Sequence, residues 1–85
     1  MKVLIPGPLL SYTGRREVEA SGQTLTLLLA DLDRQYPGLA FRVVDEQGNM
    51  RPHVRFFVNN EQSFDLGHPL LPSDDVQIVQ ALSGG

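Results

Sequence analysis

The chain has 85 residues, no cysteine and a formal net charge of −3, which predicts one domain close to the lower size limit for a single core. Disulfides, thiolate metal sites and a cysteine nucleophile within the chain are excluded. No apolar run approaches the length of a bilayer span, Pro6, Gly7 and Pro8 interrupt the N-terminal apolar stretch, and the arginines look scattered, so a cytoplasmic protein that binds neither membrane nor nucleic acid is expected.

Lys2 to Ile5 reads as a first strand with Val3 and Ile5 on one face, ended by Pro6. Gly7 to Gly14 supplies turn chemistry, and Arg16 to Ala20 alternates around Val18, so two antiparallel strands joined by a loop are predicted. Thr24 is placed to cap a helix whose stripe is Leu25, Leu28, Leu29, Leu32 and Tyr36, and Pro37 and Gly38 stop it. Such a stripe is read as core. The LAFRVV stretch, Leu39 to Val44, fits either a short strand or a helical turn.

Val54 to Asn59 is the clearest strand, with Val54, Phe56 and Val58 on one face and Arg55 and Phe57 on the other. Glu61 to Asp75 reads mostly as loop, pinned by Leu66, Leu70 and Leu71. A last strand, Val76 to Ala81, places Val76 and Ile78 on one face and Gln77 and Val79 on the other. A hairpin, a packed helix and further strands make an α+β fold. For so short a chain the expected form is a ubiquitin-like β-grasp, a mixed sheet with one main packed helix and its first and last strands adjacent at the centre. The domain is expected to span residues 1–85, with residues 80–85 as a flexible C-terminal tail.

No catalytic constellation is visible. His53 and His68 lack metal-ligand spacing and are expected at the surface or capping backbone, and no metal site is predicted. Asp74 and Asp75 lie in a Pro-Ser-Asp-Asp turn, where side-chain bonds to the turn backbone are the ordinary explanation and contact with a basic partner the alternative. The chain as given ends in ALSGG. A free terminal carboxylate is inert until another protein activates it, and glycines allow such an end to lie extended in a narrow channel. Counted from Gln80 to Gly85, that tail reaches about 20 Å.

With these residues in view, the chain resembles the ThiS/MoaD family of sulfur carrier proteins, bacterial relatives of ubiquitin. TLTLLLADLDRQYPGL resembles the family's helix and its Tyr-Pro-Gly-Leu stop, and VRFFVNNE its central strand. HPLLPSDDVQIVQALSGG resembles its Pro-Leu, Asp-x-Val strand and Gly-Gly end. The resemblance implies a carrier that is not an enzyme and binds no cofactor. An adenylyltransferase related to ubiquitin-activating enzymes uses ATP to adenylate Gly85, which becomes a thiocarboxylate and donates its sulfur to a biosynthetic enzyme. Leu82, Ser83 and Gly84 are then the tail that delivers it.

IPGPLLSYTG and VVDEQGNMR resemble carriers that feed cysteine synthesis, so a cysteine synthase homologue is the expected acceptor. The small subunit of molybdopterin synthase, paired with its large subunit, is the alternative. A further possibility is a ubiquitin-like modifier joined to proteins through Gly85, and another is an interaction module with an idle tail. Lys2 is the sole lysine, which argues only against long self-linked chains. The family's docking patch lies on the sheet face away from the helix, where Phe57, Val79 and Arg55 match it by position, with Leu82 beside them.

Overall fold

The computed structural model describes residues 1–80. Its strands are β1 (Lys2–Leu4), β2 (Glu17–Glu19), β3 (Val54–Val58), β4 (Glu61–Ser63) and β5 (Asp75–Gln80), and its helices are α1 (Leu10–Thr13), α2 (Leu25–Gln35) and α3 (Leu39–Val43). The strands form one sheet in the order β2-β1-β5-β3-β4. β1 and β5 are adjacent and parallel, with Val3 opposite Val76, while the other pairs are antiparallel. This is the expected mixed β-grasp sheet with its first and last strands at the centre.

Helix α2 forms as its sequence predicts. The Thr24 hydroxyl accepts the Leu27 N–H at 3.2 Å, satisfying one of the orphan donors of the first turn. Leu25, Leu28, Leu29 and Leu32 are buried against the sheet, each contributing about 1.5–3 kcal/mol relative to exposure. Tyr36 ends the helix at the margin of this core. Gly22 lies so close to the Leu27–Leu28 backbone that a Cβ there would overlap it, which fixes glycine at the entry to α2.

Gly38 takes a left-handed φ of 95° and turns the chain into α3. The Asp33 carboxylate accepts the N–H groups of Gly38 and Ala40 at 3.1 and 3.2 Å, so LAFRV becomes a helical turn, with Leu39 and Val43 buried. The opposite face of the core comes from the inward residues of the sheet, Val3, Val18, Val54, Phe56, Val58, Val76 and Ile78.

Several expectations change. The segment after β1 is not an open loop: a 3-10 turn over Gly7–Leu9 leads directly into α1, burying Leu9 and Thr13. The region after β3 contains strand β4, which pairs Ser63 with Phe56. It begins from a two-residue turn in which Asn59 and Asn60 both have positive φ, 51° and 70°, as tight hairpins require. Leu70 is buried and Leu66 packs on the core, but Leu71 is 65% exposed, so it does not pin this region. Gln80, the first residue of the predicted 80–85 tail, is instead paired in β5, and residues 81–85 lie outside the described residues.

Candidate docking face and the end of strand β5

Because side chains alternate across a strand, the pairing that buries Phe56 and Ile78 turns their neighbours outward. One outer row runs Glu17, Leu4, Gln77, Phe57 and Gln62 across all strands. In the next position towards the end of β5, Val79 lies opposite Arg55. Phe57, Val79 and Arg55 are therefore gathered on the face away from α2. Phe57 and Val79 are half-buried, while Arg55 is exposed.

The Arg55 guanidinium turns back on its own strand, Nη1 donating to the carbonyls of Pro52 and Val54. Gly85, Gly84, Ser83 and Leu82 lie outside the described residues.

Leu4 completes the patch and was not among the residues expected there. It is 38% exposed and flanks Gln77 from the side opposite Phe57. One groove of about 340 Å³ is lined by Lys2, Leu4, Glu17, Phe57 and Gln77. Another of about 380 Å³ is lined by Leu4, Pro6, Arg16, Gln77 and Val79. The signal for Leu4 was present in the alternation of the first strand, since Val3 and Ile5 inward require Leu4 outward. The patch joins apolar side chains to one amide, a combination suited to burying a partner's apolar group while fixing its orientation.

The opposite end of the sheet is a structural clamp. The Asp74 carboxylate accepts the Leu71 N–H at 2.8 Å and the Asn59 amide at 2.9 Å, and the Asn59 carbonyl accepts the Asp75 N–H at 3.0 Å. The Leu71 bond first, then that from Asn59, holds Asp74 below the usual carboxylate range. The turn-backbone reading of Asp74 is the one observed; Asp75 instead joins β5, where it pairs with Lys2. Asp31 is also lowered, chiefly by Arg34 and then by the Ser21 N–H.

The histidines are separate. The His68 backbone carbonyl receives the Leu25 N–H at 3.3 Å, and His53 lies beside the end of β5. Among the described residues no group of three or more histidines or carboxylates is placed to hold a metal ion.

Four of the six arginines meet at one end of the sheet although they are not gathered on one face, and Arg34 stays apart on α2 with Asp31. Arg16 lies beside Ile5 just before β2, Arg51 leads into β3, and Arg55 faces Val79. Arg42 and Arg51 share a cleft with Gln80. All of these positions surround the end of the sheet where β5 finishes. The topology causes this, because the C-terminal ends of β1 and β5 and the N-terminal ends of β2 and β3 coincide there.

The ThiS family model matches residues 3–85. The chain belongs to the ThiS family. It is 35% identical over 89 aligned positions to the sulfur carrier protein CysO of Mycobacterium tuberculosis, a match covering 98% of this chain and 96% of that protein. The crystal structure of M. tuberculosis CysO superposes with a TM-score of 0.88 at 33% identity, covering 95% of this chain and 98% of the other.

CysO from the Amycolatopsis orientalis BexX/CysO complex gives a TM-score of 0.89 at 30% identity, covering 99% and 98% of the two chains. The small archaeal modifier protein 1 of Methanosarcina acetivorans gives 0.81 at 25% identity, covering 99% and 94%. Family and fold therefore agree with the resemblance drawn from the helix stop, the central strand and the last strand.

Proposed function

We propose that this member of the ThiS family is a sulfur carrier whose Gly85 is adenylated by an ATP-dependent adenylyltransferase and converted to a thiocarboxylate. The carrier supplies no catalytic group. Adenylation turns an inert carboxylate into an acyl donor with a good leaving group, and a sulfur nucleophile then displaces AMP. The acceptor enzyme completes the transfer by taking the sulfur, and water attacks the acyl carbon to restore the carboxylate.

The observation that carries this reading is the near full-length match to CysO sulfur carriers together with the ThiS match that runs to residue 85. The outer patch of Leu4, Phe57 and Val79 beside the end of β5 is the docking surface for these enzymes, and Arg55 stands at its edge. The likeness to CysO favours an acceptor of the cysteine synthase type over the molybdopterin synthase large subunit. The work is placed in the cytoplasm, where the ATP-dependent step operates.

The test is intact mass after incubation with ATP, a cognate adenylyltransferase and a sulfide donor. A gain of one oxygen-to-sulfur exchange, localised to Gly85 by fragmentation and lost in a chain lacking Gly84 and Gly85, is expected. An unchanged mass with an activator proven on its own carrier would refute the reading. The archaeal modifier likeness supports a second outcome. A conjugate ladder in cell extract, lost on the same deletion, would add protein modification to the carrier role.

A further inference from the structure

A cleft of about 440 Å³ opens on the helix side of the sheet, between α1, α3 and the end of β5, with Tyr12, Phe41, Arg42, Arg51, His53 and Gln80 in its walls. Its two guanidinium groups are held in place. Arg42 Nε donates to the Tyr12 hydroxyl at 2.7 Å, with its guanidinium carbon 5.9 Å from the centre of that ring. Arg51 Nε donates to the Phe41 carbonyl at 2.8 Å, and its guanidinium lies 4.8 Å from the Phe41 ring centre.

Each arginine thus spends one nitrogen on its own position. Among the described residues neither pairs with a carboxylate, and the terminal nitrogens of both make no hydrogen bond. A guanidinium fixed on a ring with its terminal fork open is preorganised for bidentate carboxylate recognition, since little side-chain freedom remains to be lost. Gln80 adds a second element: its Oε1 is buried and, among the described residues, has no hydrogen-bond partner. Gln80 lines the cleft, and turning its amide outward would give that acceptor a donor from whatever fills it.

We infer that this cleft binds an acidic segment of a partner protein, with Arg42 and Arg51 taking Asp or Glu carboxylates and Gln80 Oε1 accepting an N–H of the bound backbone. The chemistry favours a short carboxylate-bearing peptide over a polyphosphate chain. The cleft is small and aromatic on two sides, Asp45 and Glu46 beyond Arg51 confine its attraction for anions to the span between the two guanidinium groups, and Gln80 calls for an N–H that a peptide backbone has and a phosphate chain lacks. The Asp45 carboxylate is occupied by the Gln47 and Asn49 N–H groups.

Gln80 points into the cleft while Val79, one residue earlier, belongs to the outer patch. A partner could therefore grip both sides of β5 just before residue 81. That use in delivering the tail rests on the carrier reading; the binding itself does not.

The test is titration of the ¹⁵N-labelled protein with hexaglutamate, read by amide and arginine Nε shifts. Saturable shifts confined to Tyr12, Arg42, Arg51, His53 and Gln80 are expected, with at least tenfold weaker binding after Arg42→Glu with Arg51→Glu. Arg34→Glu, on α2, leaves the titration unchanged. The pair Arg42→Met with Arg51→Met keeps the stems on their rings and gives the same loss if the charge reversal disturbs folding.

Shifts spread over the surface, or persisting in the double variants, would overturn the proposal. So would tighter binding of an oligouridylate of equal charge at the same residues. With the activating enzyme, the double variant raises the KM for carrier and leaves kcat unchanged. If the parent chain is never activated, the carrier reading fails while the peptide titration still decides the cleft.

Discussion

Phe56 and Phe57 are neighbours on β3 and face opposite ways. Phe56 is fully buried and sits opposite Ile78 in the core, whereas Phe57 is half-buried and sits opposite Gln77 on the outer face. Inside, the central strands are apolar and closed over by the helices except at Gln80, which ends β5 in the cleft. Outside, apolar Leu4, Phe57 and Val79 alternate with Glu17, Gln77, Gln62 and Arg55. Phe57 and Val79 are only half-buried and Leu4 is 38% exposed, so the outer face keeps part of its apolar surface in contact with water. The inner face holds the fold, and the outer face carries the patch proposed above as the docking surface.

That contrast predicts its largest effect inside. Phe56→Ala should cost about 3–5 kcal/mol, from lost transfer energy and the cavity left behind, while Phe57→Ala should cost under about 1 kcal/mol. Urea unfolding of both variants measures the difference, and equal losses would erase the distinction between the faces. The next effect is on docking. Phe57→Asp places a charge on the patch, and the KM for carrier in the adenylation assay should rise about tenfold or more, some 1.4 kcal/mol. Its amide spectrum and urea midpoint should stay close to those of the parent.

A helix-side change sharpens the contrast by moving stability alone. Thr24→Ala removes the hydroxyl that receives the Leu27 N–H, and should cost about 1 kcal/mol. The docking KM should not change, because α2 lies across the core from the patch. A parallel change in KM would show that the outer face depends on helix packing rather than on its own side chains.

What could be read in advance follows the strength of the local chemistry. The leucine stripe behind a Thr cap and the alternating VRFFV had no competing interpretation, so α2, β3 and the separation of Phe56 from Phe57 were all legible. The polar EQS strand was not, since its three residues have little strand preference and it forms only because the Asn59-Asn60 turn returns the chain beside β3. LAFRVV fits strand or helix by pattern, and what decides it is the Asp33 carboxylate holding the Gly38 and Ala40 N–H groups. Leu4 followed from alternation alone. The arginine cluster could not be read from spacing, because it is made by strand order and exists only once the ends of the strands meet.

The smallest expected effect concerns pH at the clamp between Asn59 and Asp74, far along β5 from Gln80. Asp74 is held below its ordinary pKa by the Leu71 N–H and then by the Asn59 amide, so the folded state binds its proton less readily than the unfolded chain does. The stabilisation is complete above the unfolded carboxylate pKa and disappears as pH falls through the lowered folded value. Asp31, lowered in the same direction by Arg34, contributes over the same acidic range.

Urea midpoints measured from neutral pH downward should therefore fall on acidification. Asp74→Asn, which keeps an oxygen for the Leu71 N–H but removes the titrating group, should start slightly less stable at neutral pH and fall less steeply. An unchanged slope would assign the acid sensitivity to other carboxylates and leave Asp74 as a neutral turn residue. Because Asp74 itself lines neither the Leu4–Phe57 groove, which its partner Asn59 borders, nor the arginine cleft, the adenylation KM of Asp74→Asn at neutral pH should match that of the parent.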